Sequence, residues 1–363
     1  MRVLICPDKF AGTLSAPDVA EALRAGWASV AADEIVCRPL ADGGPGFLDV
    51  LGVLGGTLLP VETSDPLGRP VPGEVLLVGS TAYVESAQAT GLHLLAESER
   101  DPNVTSSHGL GLLIRAAVDA GATEVVIGLG GSATNDAGAG MLAALGAVPV
   151  DAAGAPLPPG GAALSRCAAL AGTVKLDGVT LVAATDVDNP LSGLHGASNV
   201  FGPQKGASRE DVLRLDAALE HFGGVLGNGV DKAPGAGAAG GIGAAIFALG
   251  GRRESGISLV RELIGLDAAM EGAGLVITGE GSFDAQSLRG KVVAGVAEAA
   301  AEQGAPCVVV CGRSTVGRRE AAAAGITEIH SLVEHFGDVG RAMAEPGPGL
   351  FAIGVRLAEQ WAR

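Results

Sequence analysis

The feature that most constrains the fold is a glycine-rich stretch, GLGGSATNDAGAG, at residues 128–140. The run EVVI at 124–127 before it, which is largely β-branched, predicts a strand, and the largely apolar residues at 140–145 after it predict a helix. A strand that ends in glycines and enters a helix through hydroxyl groups gathers backbone N–H groups around one point, which favours an anionic oxygen. The alternative is an ordinary glycine turn in which Ser132 or Thr134 caps the helix.

Composition narrows the class of protein. A chain of 363 residues is long enough for two domains of roughly 150 residues each. Its 48% hydrophobic and 18% charged residues favour large buried cores over disorder. The 58 glycines and 3% aromatic residues favour an α/β protein with many tight turns. A formal charge of −16 argues against nucleic acid as a partner, because a phosphate backbone requires a basic surface.

The cysteines and the hydropathy predict a cytoplasmic protein without a membrane partner. Five cysteines, an odd number without a C-x-x-C pair, do not form a disulfide framework. The first residues are too short an apolar run for a signal peptide, and no run reaches the ~18 apolar residues that span a membrane. The sequence does not determine the oligomeric state, and a homo-oligomer is one of the states that it allows.

The order of strand-like and helix-like segments predicts two domains. Alternating segments at residues 2–60 and again from about residue 275 are typical of a parallel α/β sheet. Between residues 57 and 86 the pattern changes to short strands around a Pro/Gly turn, which predicts antiparallel pairing and the start of a second domain. Ser15 and Ser208 each stand three residues before an aspartate, the spacing of a capping box, and predict helix starts.

Polar residues gather where the predicted strands end. Because the carboxyl ends of parallel strands form the ligand crevice of an open sheet, we expect an active cleft there. Taken singly, each acid could equally be a helix cap or a solvated turn residue. The strand ends in question carry Asp8, Asp42, residues 130–136, Asp186 with Asp188, Glu280 with Asp284, and Gly312 with Arg313.

The donor types at these strand ends indicate Mg²⁺ and phosphoryl transfer. Hard oxygen ligands without a His or Cys cluster suit Mg²⁺, which takes one or two carboxylates together with phosphates and water. N–H cradles, lysines, a metal and a carboxylate that orients a hydroxyl are the parts that phosphoryl transfer requires. The chain has neither a G-x-x-x-x-G-K-[ST] loop nor an H-R-D signature. Residues 235–240 match G-x-G-x-x-G, but no predicted strand precedes them, so a dinucleotide site is not indicated.

Seven motifs together resemble the bacterial glycerate kinase family along nearly the whole chain. They are PDKF at 7–10, ADGG at 41–44, GGSATND at 130–136, DVDNPL at 186–191, FGPQKG at 201–206, PGAG at 234–237 and TGEG at 278–281. Many members carry a lysine where this chain has Ala11, which leaves open whether Lys9 supplies that charge.

This resemblance implies a function and a fold. The implied activity is transfer of the γ-phosphoryl group of ATP, with Mg²⁺, to a hydroxyl of D-glycerate, commonly giving 2-phosphoglycerate and ADP. The implied fold is a flavodoxin-like parallel-sheet domain formed by both chain ends, residues 1–60 plus 270–363. A second α/β domain with a mixed sheet, residues 61–269, is inserted, and a cleft lies between the two. Two other functions remain open: a kinase for another small hydroxy acid or polyol, and a non-catalytic sensor of nucleotides or phospho-ligands.

On the kinase hypothesis, specific side chains receive roles. The catalytic candidates are Asp8, Lys9, Asp186, Asp188 and Glu280, of which Asp186, Asp188 and Glu280 are also the candidate Mg²⁺ ligands. The candidates for holding phosphate or substrate are Asp42, Gly43, Gly130, Gly131, Ser132, Thr134, Asn135, Asp136, Asn189, Lys205, Gly237, Gly240 and Lys291.

Overall fold

A computed structural model describes residues 1–176, 178–288 and 292–362. The chain divides into two compact units. The first unit comprises Met1–Asp42, Asp49–Leu54 and Ile257–Arg363, and the second comprises Gly43–Leu48 and Gly55–Gly256. The domain boundaries expected at residues 60 and 270 stay a prediction; the compact units divide after Leu54 and Gly256, and the short segment Gly43–Leu48 belongs to the second unit.

The strands lie in chain order between helices and turns. They are β1 (Arg2–Ile5), β2 (Glu34–Cys37), β3 (Thr57–Ser64), β4 (Pro70–Val78), β5 (Thr81–Glu85), β6 (Glu124–Gly128), β7 (Ala147–Val150), β8 (Ala169–Gly172), β9 (Thr180–Ala184), β10 (Arg252–Glu254), β11 (Leu275–Phe283), β12 (Cys307–Ser314) and β13 (Ile326–Ser331).

The helices connect these strands. They are α1 (Ala16–Ala28), α2 (Phe47–Leu51), α3 (Ala87–Thr90), α4 (His108–Asp119), α5 (Ala139–Leu145), α6 (Ala197–Phe201), α7 (Arg209–Leu226), α8 (Ala238–Ala248), α9 (Gly256–Leu263), α10 (Leu266–Met270), α11 (Val292–Glu302), α12 (Arg318–Ala323), α13 (Leu332–Phe336), α14 (Val339–Ala344) and α15 (Pro346–Trp361). Short 3₁₀ helices occur at Gly52–Leu54, Leu92–Leu94, Glu97–Glu99, Gly161–Arg166, Pro203–Lys205 and Val230–Lys232.

The first unit contains a parallel sheet built from both ends of the chain. Its strand order is β13-β12-β11-β1-β2, and each neighbouring pair is parallel. Counted along this unit, the order is 2-1-3-4-5, which is the flavodoxin-like order. The predicted parallel-sheet domain is confirmed. Helices α1 and α15 pack on the sheet's apolar core, and their backbones approach closely because Gly26 lies against the carbonyl of Phe351.

The second unit contains a mixed sheet of order β10-β9-β6-β5-β4-β3. Strands β5, β6, β9 and β10 run parallel, and β4 and β3 add antiparallel pairs. This confirms the antiparallel pairing predicted from residues 57–86 and the mixed sheet implied by the resemblance. The antiparallel pair β7–β8 was not predicted, because the Pro/Gly/Ala-rich residues 151–161 between its two strands carry no strand-like pattern.

Both predicted capping boxes mark helix starts. The hydroxyl of Ser15 accepts the amide of Asp18 at the start of α1, and that of Ser208 accepts the amide of Asp211 at the start of α7. These local signals succeed because the capping side chain and the amide it binds lie within one turn.

In the described part of the chain, no helix is both long enough and apolar enough to cross a lipid bilayer.

Candidate functional site

The first unit has a cavity of about 550 Å³ at the carboxyl edge of its parallel sheet. Asp8 and Lys9 follow β1, Glu280 lies on β11 and Arg313 lies on β12, and all four line the cavity together with Asp42. Asp8, Asp42, Glu280 and Arg313 thus lie together as predicted from their strand-end positions, because neighbouring parallel strands end at the same edge. Asp284 also lines it, and its carboxylate accepts the amide of Gln286 at 2.7 Å in the turn after β11.

The loop after β1 presents Lys9 to this cavity. The amide of Asp8 donates to the carbonyl of Gly279 at 2.7 Å, which anchors the loop on β11. Lys9 is partly exposed, and its Nζ lies 3.8 Å from the Asp8 carboxylate. Ala11, where many family members carry a lysine, is exposed and also lines the cavity. Lys9 and Ala11 thus line the same cavity, and the supply of the positive charge by Lys9 stays a prediction.

Glycines on β11 and β12 allow the backbone around this cavity to pack closely. A Cβ at Gly279 would lie 1.8 Å from the carbonyl oxygen of Val310, and one at Gly312 would lie 2.4 Å from that of Gly281. No side chain fits in such spaces, so packing between adjacent strands requires a glycine both at Gly279, in the TGEG motif, and at Gly312.

The second unit also gathers its motif residues at one carboxyl edge. Asp186 follows β9, the stretch at 130–136 follows β6, Glu85 ends β5 and Ser255 follows β10. Since these four strands are parallel neighbours, their ends meet at one edge.

The segment Gly43–Leu48 lies across this edge. The carboxylate of Glu85 accepts the amides of Gly46 at 3.0 Å and Leu48 at 3.4 Å, fixing the segment in place. A Cβ at Gly43 would lie 2.8 Å from the carbonyl oxygen of Ala184, at the end of β9. Glu85 was not predicted, because its role depends on a partner segment some forty residues away in the chain.

Asp186 and Asp188 are exposed at this edge, and each has a partner. The hydroxyl of Ser255 donates to Oδ1 of Asp186 at 2.6 Å, and the guanidinium of Arg253 pairs with Asp188. Ser255 and Arg253 were not predicted, because strand β10 is only three residues long and carries no periodic signal. Across the described residues, no group of three or more His, Cys, Asp or Glu side chains could hold a metal ion.

Asp136 is fully buried and organises two helix starts. Its carboxylate accepts the amide and hydroxyl of Ser107, both at 2.8 Å, and the amides of Gly138 and Gly140, both at 3.1 Å. Burial raises the pKa of Asp136, and the hydrogen bonds from Ser107, Gly140 and Gly138 oppose that rise. Asp136 therefore acts as a helix cap, which was one of the interpretations that the sequence left open for each acid.

Lys205 is also buried, with 2% of its surface exposed. Its Nζ donates to the hydroxyl of Ser132 at 3.0 Å and to the carbonyl of Thr134 at 2.7 Å. Burial lowers the pKa of Lys205 to about 7, a fall that the carboxylate of Asp136 opposes. The amine thus supports the 130–136 stretch from within the unit.

The remaining polar residues of the stretch are buried. The side-chain amide of Asn135 donates to the hydroxyl of Ser198 at 2.9 Å, and the amide of Ala133 donates to the carbonyl of Thr90 at 2.6 Å. Gly130 is only partly buried and Gly131 is exposed, so the stretch reaches solvent at its glycines.

The glycines at 235–241 pack against these motifs. The amide of Gly237 donates to the carbonyl of Asn189 at 2.9 Å, and a Cβ at Gly240 would lie 1.9 Å from the carbonyl oxygen of Thr134. The side chain of Asn189 itself donates to the carbonyl of His195 at 2.8 Å. Close backbone contact explains these glycines, and their predicted contact with phosphate stays a prediction. Lys291, another predicted contact, lies outside the described residues.

Comparison with known proteins decides the family. A sequence model of the glycerate kinase family matches residues 3–362. The chain belongs to the glycerate kinase family. This confirms the resemblance drawn from the seven motifs, and the family name denotes phosphotransferases that act on an alcohol group.

Individual members of the glycerate kinase family are similar over most of their length. "Glycerate kinase" of Bacillus subtilis (strain 168) is 40% identical over 345 residues, covering 92% of this chain and 90% of its own. "Glycerate 2-kinase" of Escherichia coli (strain K12) is 41% identical over 327 residues, covering 87% and 86%. A crystal structure from Salmonella typhimurium LT2, described as a candidate glycerate kinase 2, superposes with a TM-score of 0.81 at 37% identity, covering 99% and 98%.

Proposed function

We propose that the protein transfers the γ-phosphoryl group of MgATP to a hydroxyl of D-glycerate, giving ADP and 2-phosphoglycerate. The observation that carries the proposal is the gathering of acids and cations at the carboxyl edge of a parallel sheet, with Asp8, Lys9, Glu280 and Arg313 around one cavity. The names of the relatives support glycerate as the acceptor, and the name "Glycerate 2-kinase" supports transfer to its O2.

The residues present suit Mg²⁺. Asp186 and Asp188 offer two exposed carboxylates at i and i+2 after β9, and Glu280 on β11 is a further candidate ligand. Mg²⁺ needs only one or two protein carboxylates when substrate phosphates complete its coordination, so the small number of grouped acids fits this ion. When bound, the ion would neutralise charge on the phosphate oxygens.

The protein's own residues would do the remaining work. Lys9 would place a positive charge against the transferring phosphoryl group, where charge stabilisation lowers the barrier. The hydroxyl of Ser255 would hold Asp186 in one orientation, since its 2.6 Å hydrogen bond fixes one carboxylate oxygen. Asp8 or Asp186 would orient the attacking hydroxyl of glycerate.

The stretch at 130–136 would hold the substrate's anionic group through its exposed glycine end. Lys205 and Asp136 would act beneath it as supports, since both are buried and bonded within the unit. The sequence predicted that Lys205 holds phosphate or substrate directly. In this proposal Lys205 instead supports the stretch that does so.

The test is ADP release from MgATP with D-glycerate, combined with phosphorus NMR of the product. ADP release that requires both glycerate and the metal, and is abolished by EDTA, is the expected result. A proton-coupled doublet would identify 2-phosphoglycerate, because the phosphate is then next to one C–H, whereas a triplet would identify transfer to O3. A larger kcat/KM for lactate, glycerol or erythronate than for glycerate would overturn the assignment of the acceptor.

A further inference from the structure

The cavity of the first unit changes in character along the sheet edge. Its part near β1 and β11 is lined by Asp8, Lys9 and Glu280. Its part beyond β13 is lined by the apolar side chains of α13 and α14, which are Leu332, Val333, Val339, Ala342 and Met343. The cavity is therefore polar at one end and apolar at the other.

The apolar end includes side chains that are unusually exposed. Val339 and Met343 are 56% and 59% exposed. They stand four residues apart on α14 and therefore on one face of the helix. Both line the cavity, so their exposed surface faces a space that a ligand can occupy. Burial of such a surface by a flat apolar group would be favourable.

The size and chemistry of the cavity do not suit glycerate. A volume of about 550 Å³ lies in the range of pockets for ligands much larger than a three-carbon acid. Glycerate carries polar groups on every carbon, so it has no apolar surface to place against Val339 and Met343. The ligand should instead have one apolar, flat end and one anionic end.

The topology places the anionic end. The strand order of this sheet reverses between β1 and β11, and ligands of open α/β sheets bind at such a switch point. Lys9 follows one of these strands and Glu280 lies on the other. The apolar end lies on the far side of β12, at β13, about two to three strand spacings or roughly 10–14 Å away.

We propose that this cavity is the nucleotide site, with the base against Val333, Val339 and Met343 and the phosphates toward Lys9 and Arg313. This inference deepens the proposed kinase function and rests on it for the identity of the nucleotide. It assigns the nucleotide to the first unit and leaves the edge with Asp186 and the 130–136 stretch for the acceptor.

The charges at the polar end make phosphate binding dependent on a divalent cation. Four acids line the cavity there, Asp8, Asp42, Glu280 and Asp284, against the cations Lys9 and Arg313. A triphosphate beside an excess of carboxylates requires a divalent cation to bridge the like charges. Adenosine, which carries no phosphate, does not.

The experiment measures binding of adenosine, AMP, ADP and ATP by titration calorimetry, without glycerate. Met343→Glu should weaken the binding of all four ligands by a similar factor, about tenfold or more, because it places a charge against the base. Lys9→Met should leave the affinity for adenosine unchanged. It should remove most of the additional affinity that ATP has over AMP. EDTA should weaken the binding of ATP and leave the binding of adenosine unchanged.

Val53→Glu is the matched control for Met343→Glu. Val53 is 61% exposed in the same unit and does not line the cavity, so a glutamate there should leave every affinity unchanged. Circular dichroism of each variant establishes that it is folded. A folded Met343→Glu protein with wild-type nucleotide affinities would overturn the inference.

The outcomes separate this inference from the kinase proposal. Glycerate-dependent turnover with unchanged nucleotide affinity and KM for ATP in Met343→Glu would overturn the site while retaining the activity. Nucleotide binding that responds to Met343→Glu and Lys9→Met as stated, without phosphate transfer to any acceptor, would support the site and overturn the activity.

Discussion

The Nζ of Lys205 donates to the hydroxyl of Ser132 at 3.0 Å inside the second unit, and it donates to the carbonyl of Thr134 at 2.7 Å as well. A lysine so buried supports the glycine-rich stretch from below and holds its backbone in one position. The cost of burying its charge is visible in its pKa, which burial lowers to about 7.

This lowered pKa predicts how stability depends on pH. Between about pH 7 and the ordinary lysine value of 10.5, the unfolded chain keeps the proton that folded Lys205 releases. Stability therefore rises with pH over that window, because the unfolded state binds more protons. The destabilising effect of the buried charge is fully present below pH 7. Urea unfolding of wild type and Lys205→Met from about pH 6 to about pH 10 should show the wild type gaining stability relative to the variant, by up to a few kcal/mol at about 1.4 kcal/mol per pKa unit.

Lys232→Met provides the baseline for this comparison, since Lys232 is an exposed lysine of the same unit. If the difference between wild type and Lys205→Met were constant across the whole pH range, the folded amine would keep its proton and the prediction would be wrong.

Asp136→Asn should destabilise the second unit strongly. The carboxylate accepts four hydrogen bonds in a buried position, and an amide would turn its NH₂ group toward at least one N–H donor. We expect a loss of about 3 kcal/mol, because buried donors left without an acceptor are costly. Asp211→Asn is the control, since Asp211 also accepts an amide at a helix start but in a partly exposed position. Its loss should be about 1 kcal/mol or less, and equal losses in the two variants would refute the interpretation.

The sequence predicted the fold and part of the site for identifiable reasons. Strand ends in parallel sheets converge by geometry, so Asp8, Lys9 and Glu280 could be placed at one edge from their positions alone. Capping at Ser15 and Ser208 could be predicted because both partners lie within one helical turn. The short strand β10 and the contacts of Glu85 could not be predicted, because they depend on distant segments and carry no local sequence pattern.

The glycine-rich stretch shows where such prediction ends. Its sequence indicates that hydroxyl, amide and carboxylate groups lie near one point, but it does not indicate which way each group faces. In the structure Thr134, Asn135 and Asp136 are buried, and Lys205 approaches from within the unit. Whether a polar group faces a ligand or the core is decided by tertiary packing, which a single sequence does not contain.

Gly240→Ala should be much more damaging than an alanine at another glycine with positive φ. Gly240 has φ of +71°, and its added Cβ would lie 1.9 Å from the carbonyl oxygen of Thr134. Gly250 has φ of +82° with no atom within 4 Å of its added Cβ, so Gly250→Ala isolates the backbone strain alone, about 1 kcal/mol. Thermal unfolding should therefore show a modest decrease in Tm for Gly250→Ala and a severe loss for Gly240→Ala. Similar decreases would mean that Thr134 moves aside easily.

Asp186→Asn should reduce kcat by about 100-fold or more while leaving the Tm nearly unchanged. Asp186 is exposed at the carboxyl edge, so removing its charge disturbs little packing, whereas a group that orients a hydroxyl or holds Mg²⁺ is needed in the transition state. Ser255→Ala should give a smaller decrease, because the carboxylate remains but loses the hydrogen bond that orients it. The control is Asp119→Asn, an exposed aspartate at the end of α4. Steady-state rates with MgATP and D-glycerate check all three, and wild-type turnover in a folded Asp186→Asn protein would remove Asp186 from the reaction.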